Sequence, residues 1–203
     1  MSLHSKKFIQ SLARETGASP EDAEVFEFGL ILLINGLIDI AVIFTIAYCL
    51  GFFQNVVIAY TVAAVLKYFA GGTHARTMSN CLIIGTVAYT SIGLVSQVLP
   101  GDSPLMLSVS FGFVAGLSLV SFLRYAPNSP PQKPVRSVRH YGQLRRGSLI
   151  VLSIILLVGV SWLLRPFAPA ELFWAGCLAL VWQSFILLPC SKRLFNLIER
   201  HLC

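Results

Sequence analysis

A histidine and a cysteine lie seven residues apart, at His74 and Cys81, in a short polar interval between two long apolar runs. Imidazole and thiol side chains serve as general base and nucleophile in cysteine-dependent acyl transfer. Cysteine attacks as its thiolate, and the N-terminal end of a helix stabilises such an anion. Because Cys81 opens an apolar run, the sequence predicts Cys81 as the nucleophile and His74 as its base.

The spacing of the two side chains requires a bend in the backbone. Residues seven apart in a straight helix share a face but stand about 10.5 Å apart along the axis, too far for a hydrogen bond. Glycine adopts backbone conformations that other residues resist, and Gly71 and Gly72 precede the histidine. We therefore predict a bend between Gly71 and Thr73 that folds the histidine back towards the cysteine. The alternative is that residues 70–80 form an ordinary turn.

A zinc site is a weaker interpretation of the same interval. Two candidate ligands lack a clear second pair, and His140 and His201 are distant in the sequence. The sequence therefore predicts neither a metal nor another cofactor. The four other cysteines form no CxxC pair and lie in or beside apolar runs or at the chain end, where cysteine commonly packs as a small hydrophobe. They are Cys49, Cys177, Cys190 and Cys203.

The composition is that of a membrane protein. Of the 203 residues, 56% are hydrophobic and only 12% are charged, whereas soluble domains carry about 25% charged residues. A membrane-spanning helix needs about 20 apolar residues, and the chain has room for six. The sequence therefore predicts an all-α, polytopic integral membrane protein with a single membrane domain over residues 1–203. The predicted spans are 28–50, 52–69, 81–99, 105–123, 147–164 and 172–189.

Polar segments flank the predicted spans. Residues 1–27 begin with apolar residues at helical spacing, which predicts an amphipathic helix on the membrane surface, and they are too polar for a cleavable signal peptide. Residues 70–80 form the predicted catalytic turn. Residues 124–146 form a basic loop, whose prolines disfavour a helix in its first half. Residues 190–203 form a basic tail with the spacing of an amphipathic helix.

The positive charges lie almost entirely on one side of this topology. With six spans, both termini, the predicted catalytic turn and the basic loop share a side, and Arg165 is the only Lys or Arg residue on the other. Positively charged segments remain in the cytoplasm. We therefore expect both termini and the His74/Cys81 interval to face the cytoplasm.

The basic loop has two interpretations. It contains no acidic residue, so it could act only as a topogenic signal, or also as an electrostatic clamp for an acidic peptide or anionic lipid. Nucleic-acid binding is not expected, because the loop has only two aromatic residues and no recognisable binding module. The candidate binding residues are Lys133, Arg136, Arg139, Arg145 and Arg146.

Asn35 and Asp39 lie four residues apart, on one face of the first predicted span. An intramembrane carboxylate is costly and faces protein or water, so the pair indicates either a hydrogen bond between helices or a role near the active site. It could also form the polar site of a small transporter or peptide exporter, although no internal repeat typical of transporters is evident. A membrane scaffold or receptor without catalytic activity is a third possibility.

The stretch Gly71-Gly72-Thr73-His74-Ala75, followed by Cys81, resembles the signature of the AgrB family, the accessory gene regulator membrane endopeptidases of Gram-positive bacteria. Tyr125-Ala126-Pro127, leading into Lys133-Pro134 and an arginine-rich loop, is similar to a second motif of that family. Thr45-Ile46-Ala47-Tyr48 also looks familial. Length and six-span layout agree, so the resemblance covers essentially the whole chain.

The resemblance implies a quorum-sensing endopeptidase of the bacterial cytoplasmic membrane. Such an enzyme removes the acidic C-terminal tail of an AgrD-like propeptide through a thioester on Cys81, with His74 as base, and promotes closure of a thiolactone or lactone ring. The resemblance also implies a homodimer. Family members often carry an amide or carboxylate where this chain has Ile31. Candidate substrate-positioning residues are Lys67, Gly71, Gly72, Arg76, Asn35 and Asp39.

Overall fold

The computed structural model describes residues 20–73, 75, 77–101, 103–128, 138–165 and 169–202. The surface helix predicted near the N-terminus lies outside these residues. The described residues form helices joined by short connections. The helices are α1 (Pro20–Cys49), α2 (Phe53–Ala70), α3 (Met78–Val98), α4 (Pro104–Tyr125), α5 (Val138–Leu163), α6 (Ala170–Leu187) and α7 (Pro189–Leu202).

Six of the helices, α1 to α6, are long and apolar enough to cross a membrane. This confirms the predicted all-α, polytopic class. The contacts divide the chain into two units, residues 1–42 and residues 43–203.

Helix α1 contains the described residues of the first unit. It begins at Pro20, whose fixed φ suits the first helical position, and it continues without interruption through the first predicted span. Asn35 donates a hydrogen bond from Nδ2 to the carbonyl oxygen of Ile31 at 2.8 Å. This bond lies within α1, and the roles suggested by the sequence for Asn35 and Asp39 stay predictions.

Helix α6 is the central helix of the second unit. It packs against α2, α3, α4 and α7. Of its most apolar 18-residue stretch, 56% is buried, a larger share than in any other candidate span among the described residues. A helix that is apolar on all sides is typically enclosed by other helices. The small residues Ala175 and Ala179, both fully buried, let neighbouring backbones approach closely, as is common between membrane helices.

The two ends of the second unit are joined by different polar contacts. At one end, Asn55 of α2 donates to the Ser96 hydroxyl of α3 at 2.8 Å, and the Trp174 indole of α6 donates to the carbonyl oxygen of Pro100 at 3.0 Å. At the opposite end, the last turns of α2, α4 and α6 converge on the start of α7. The predicted catalytic turn belongs to this second end.

Most of the described residues of the predicted basic loop are helical, and residues 126–128 lie beyond the end of the preceding helix. Helix α4 continues to Tyr125 and α5 begins at Val138, well before the fifth predicted span. The last proline of the loop is Pro134, so nothing in residues 138–146 interrupts a helix. The arginines of that stretch therefore lie on the first turns of α5 rather than on an irregular loop.

Candidate active site

The segment between α2 and α3 leaves the helical conformation at two glycines. Helix α2 ends at Ala70, and the amide of Gly71 closes its last turn by donating to the carbonyl oxygen of Lys67 at 2.8 Å. Gly71 then has φ 68° and ψ −145°, and Gly72 has φ 145°. The chain therefore bends between Gly71 and Thr73, as predicted. We call residues 71–73 the connector.

Both glycines are required by what surrounds them. A Cβ atom on Gly71 would collide with the main-chain carbonyl oxygen of Asn128, and a Cβ atom on Gly72 would lie 2.9 Å from Cδ1 of Ile186. The Gly71 conformation is one that essentially only glycine adopts. The glycine pair thus lets the connector pass directly against the ends of α4 and α6.

The connector is bonded to two neighbouring chain segments through its backbone. The Asn128 amide donates to the carbonyl oxygen of Ala70 at 2.8 Å, and the Gly72 amide donates to the carbonyl oxygen of Asn128 at 3.2 Å. These two bonds make an isolated parallel bridge beyond the end of α4. The Thr73 amide donates to the carbonyl oxygen of Ile186 in α6 at 2.9 Å.

Three hydrogen bonds made by side chains complete this attachment. The Gln183 amide donates to the carbonyl oxygen of Gly71 at 3.0 Å, and the hydroxyls of Thr73 and Ser191 lie 2.6 Å apart. The side-chain amide of Asn128 donates from Nδ2 to the carbonyl oxygen of Leu187 at 3.5 Å. The ends of α4 and α6 and the start of α7 are therefore all joined to the connector.

Sequence reasoning did not identify Gln183, Asn128 or Ser191. A signal existed for two of them. Gln183 is an uncharged polar residue within an apolar span, where such side chains commonly bond between helices. Asn128 directly follows the Tyr125-Ala126-Pro127 motif. Ser191 had no comparable signal, because a serine near the start of a helix is ordinary.

Cys81 lies in the first turn of α3. The helix begins at Met78, and its N-cap is Thr77, whose hydroxyl accepts from the Asn80 amide at 3.2 Å. The Cys81 amide donates to the carbonyl oxygen of Thr77 at 3.1 Å, and the residue is partly buried. Cys81 thus lies within the turn where a helix end favours an anion, as the sequence predicted.

Several predicted site residues lie outside the described residues or in the first unit. His74, Arg76, Lys133 and Arg136 are outside the described residues. Lys67 is partly buried in the last turn of α2, at the same end of the second unit as the connector. Asn35 and Asp39 lie in the first unit.

The described arginines of the basic stretch differ in their surroundings. Arg139, Arg145 and Arg146 are all exposed on the first turns of α5. Arg145 donates from Nη2 to the carbonyl oxygen of Leu123 at 3.2 Å, which ties α5 to the end of α4. Arg139 and Arg146 are seven residues apart and therefore share a face of the helix.

No three His, Cys, Asp or Glu side chains among the described residues are grouped as ligands for a metal ion. A cavity of about 230 Å³ lies between α2, α4, α5 and α6, but its lining, which includes Phe111, Gly159, Trp162 and Cys177, is almost entirely apolar. The cavity is formed by the ends of these helices away from the connector.

Fold and site together define a polytopic helical membrane protein with a cysteine in the first turn of a spanning helix, beside a glycine turn fixed by buried polar groups. The chain belongs to the accessory gene regulator B (AgrB) family, whose family model matches residues 5–187. This confirms the resemblance seen in the sequence. Family membership connects the protein with accessory gene regulation in quorum sensing, and it implies an AgrD-like propeptide as partner and association with a membrane.

Individual relatives are distant in sequence. An AgrB-like protein of Clostridium perfringens (strain SM101 / Type A) is 23% identical over 163 residues, which cover 77% of this chain and 74% of the relative. Protein FsrB of Enterococcus faecalis (strain ATCC 47077 / OG1RF) is 27% identical over 173 residues, covering 85% of this chain and 66% of the relative. No solved structure matches the chain.

Proposed function

We propose that this protein is a membrane cysteine endopeptidase that removes the C-terminal tail of an AgrD-like propeptide and promotes cyclisation of the signal peptide. One observation carries the proposal. The glycine turn that leads to His74 is fixed by buried hydrogen bonds, and the chain then enters α3 with Cys81 in the first turn. That arrangement suits a nucleophile and a base brought together from either side of a turn.

The proposed reaction begins with attack of the Cys81 sulfur on the carbonyl carbon before the tail. His74 takes the thiol proton, the carbon–nitrogen bond breaks, and His74 returns the proton to the departing amine of the tail. The propeptide is then held as a thioester on Cys81. A cysteine thiolate within the propeptide attacks the same carbonyl, forms the ring thioester and releases the Cys81 thiolate.

The second step requires that water be kept from the thioester. Exchange of one thioester for another conserves the number and type of bonds, so the energy of the first acylation is retained in the ring, whereas hydrolysis would lose it. The partial burial of Cys81 and the enclosure of the connector by α4, α6 and α7 support limited access of water. We propose that Lys67 positions the substrate carbonyl or tail from the end of α2.

We also propose a membrane orientation and an oligomeric state for the protein. The charge distribution in the sequence supports a cytoplasmic face for the connector and both termini. The family resemblance supports a homodimer. An acidic tail released on the cytoplasmic side would lie close to the basic start of α5.

Tail release provides the test of the proposed function. The wild type, Cys81→Ser and His74→Ala would each be co-expressed with the AgrD-like propeptide of the same genome, and the products analysed by mass spectrometry. We expect the free tail only with the wild type, together with a propeptide adduct on Cys81. Undiminished release by both variants would exclude the proposed dyad. An intact propeptide with the wild type would instead favour the transporter interpretation.

The exposed arginines of α5 are expected to contribute to binding of the acidic tail. Arg139→Gln with Arg146→Gln removes two positive charges from one helix face. Because exposed charge pairs contribute only about 0.2–1 kcal/mol each, we expect KM for tail release to rise by about two- to thirtyfold in low salt, with kcat unchanged. The difference from wild type should shrink as ionic strength rises.

A matched control lies at the opposite end of the same helix. Arg165 is also exposed and follows the last turn of α5, on the other side of the predicted membrane. Arg165→Gln is expected to leave KM unchanged. An equal rise in KM in both variants would mean that net charge, rather than the start of α5, governs tail binding.

A further inference from the structure

A single buried side chain connects the central helix to the connector. Gln183 of α6 is 0% exposed, and its Nε2 donates to the carbonyl oxygen of Gly71 at 3.0 Å. Its other polar atom, Oε1, is buried and has no hydrogen-bond partner among the described residues. Among the described residues, the Gln183 carboxamide therefore forms a hydrogen bond through its nitrogen and none through its oxygen.

Packing stability does not explain why a carboxamide occupies this position. A buried acceptor without a partner destabilises the fold, because it has given up its bonds to water or to another donor. A methionine has a similar length and volume and would fill the same space without an unsatisfied oxygen. The feature that only the amide supplies is the hydrogen bond to Gly71.

The hydrogen bond from Gln183 holds the residue at which the chain turns away from the axis of α2. Gly71 is the first residue after α2 and has positive φ, and the next amides bond outward to Asn128 and Ile186. His74 follows Gly71 by three residues, which span at most about 11 Å. A rotation of the peptide unit at Gly71 would therefore move the imidazole relative to Cys81 without changing either side chain.

We propose that Gln183 is a positioning residue for the peptidase reaction. It holds the carbonyl of Gly71, and through the connector it sets the position of His74 relative to the Cys81 thiol. Gln183 acts through the backbone and does not contact the substrate. The proposal rests on the proposed function and assigns it a residue in a different helix, 112 positions away along the chain.

The test compares Gln183→Met with Ser184→Ala in the full-length protein. Ser184 is the adjacent residue, is 1% exposed, and donates to the Ser118 hydroxyl of α4 at 3.1 Å, so its replacement also removes one buried bond of α6. A misplacement of about 1 Å can lower a rate by about 100-fold. We therefore expect kcat for tail release to fall about 10- to 100-fold in Gln183→Met with KM nearly unchanged, and to change less than about twofold in Ser184→Ala.

Two further measurements separate positioning from stability. The thermal midpoint of Gln183→Met should stay close to that of the wild type, because removal of the unsatisfied oxygen offsets the loss of the hydrogen bond to the Gly71 carbonyl. Hydrogen exchange at the amides of Gly72 and Thr73 should be faster in Gln183→Met and unchanged in Ser184→Ala. A lower kcat accompanied by a proportionally lower midpoint, or an equal loss in both variants, would show a structural role and overturn the proposal.

Tail release by the wild type and by Gln183→Met distinguishes an error in the positioning role from an error in the proposed function. If the wild type releases the tail and Gln183→Met releases it equally fast, the positioning role is wrong and the peptidase remains. If the wild type leaves the propeptide intact, the peptidase assignment itself is wrong, and the positioning role is excluded with it.

Discussion

Loss of the Cys81 thiol is expected to lower tail release by about ten-thousandfold or more, because a covalent mechanism has no substitute for its nucleophile. Cys81→Ala removes one partly buried sulfur atom from the first turn of α3 and keeps the helical backbone bonds. We therefore expect the thermal midpoint to change little. The measurement is the single-turnover rate of tail release in purified protein, beside the thermal unfolding curve.

The double variant Cys81→Ala/His74→Ala gives the sharper result. If the two side chains act as one unit, removing both costs no more than removing the cysteine alone. Independent roles would instead give losses that multiply. Cys190→Ala is the matched control, since Cys190 lies in the first turn of α7 and is exposed. It should retain the wild-type rate, and a large loss there would point to a general effect of removing a thiol.

Replacement of Gly71 with alanine is expected to have the next largest effect. The new Cβ would collide with the backbone of Asn128, which cannot move aside as a flexible side chain can. A residue other than glycine in this conformation also costs about 1–3 kcal/mol. We expect Gly71→Ala to lower the thermal midpoint and to reduce tail release about 100-fold or more, because the connector must shift.

Two other glycines provide graded controls for that prediction. Gly72 also has a positive φ of 145°, which disfavours alanine. A Cβ there would however meet the end of the flexible Ile186 side chain rather than backbone, so Gly72→Ala should lose less activity than Gly71→Ala. A Cβ on Gly116 in α4 would have no atom of a neighbouring segment within 4 Å, and alanine is favoured over glycine within a helix. Gly116→Ala should therefore be neutral or slightly stabilising. Equal losses at Gly71 and Gly116 would contradict the importance of the close approach.

The fold class could be predicted from the sequence because the membrane imposes strong constraints. Apolar runs of sufficient length must become helices, since a backbone in lipid satisfies its polar groups only within a helix or a closed barrel. Six such helices occur among the described residues. The conformational freedom of glycine also predicted the departure from helix at Gly71. These features depend on residues close together in the chain.

The helical start of α5 was less predictable. Apolar runs mark where a helix crosses the membrane, but a helix can continue into water through polar turns that carry no hydropathy signal. Arg139 and Arg146 therefore belong to α5 although they precede its apolar part. This matters for function, because a helix holds the two charges on one face at a fixed spacing.

Residue types and their order along the chain were enough to predict the membrane class and the family. They are also the basis for proposing a histidine and a thiol, after a glycine turn, as the chemical groups of the site. What fixes that turn became evident only from the packing of the helices. Gln183, Asn128 and Ser191 meet the connector from chain segments that are distant in sequence. Polar residues in an apolar chain show that a hydrogen bond is needed, but their partners follow from how the helices pack.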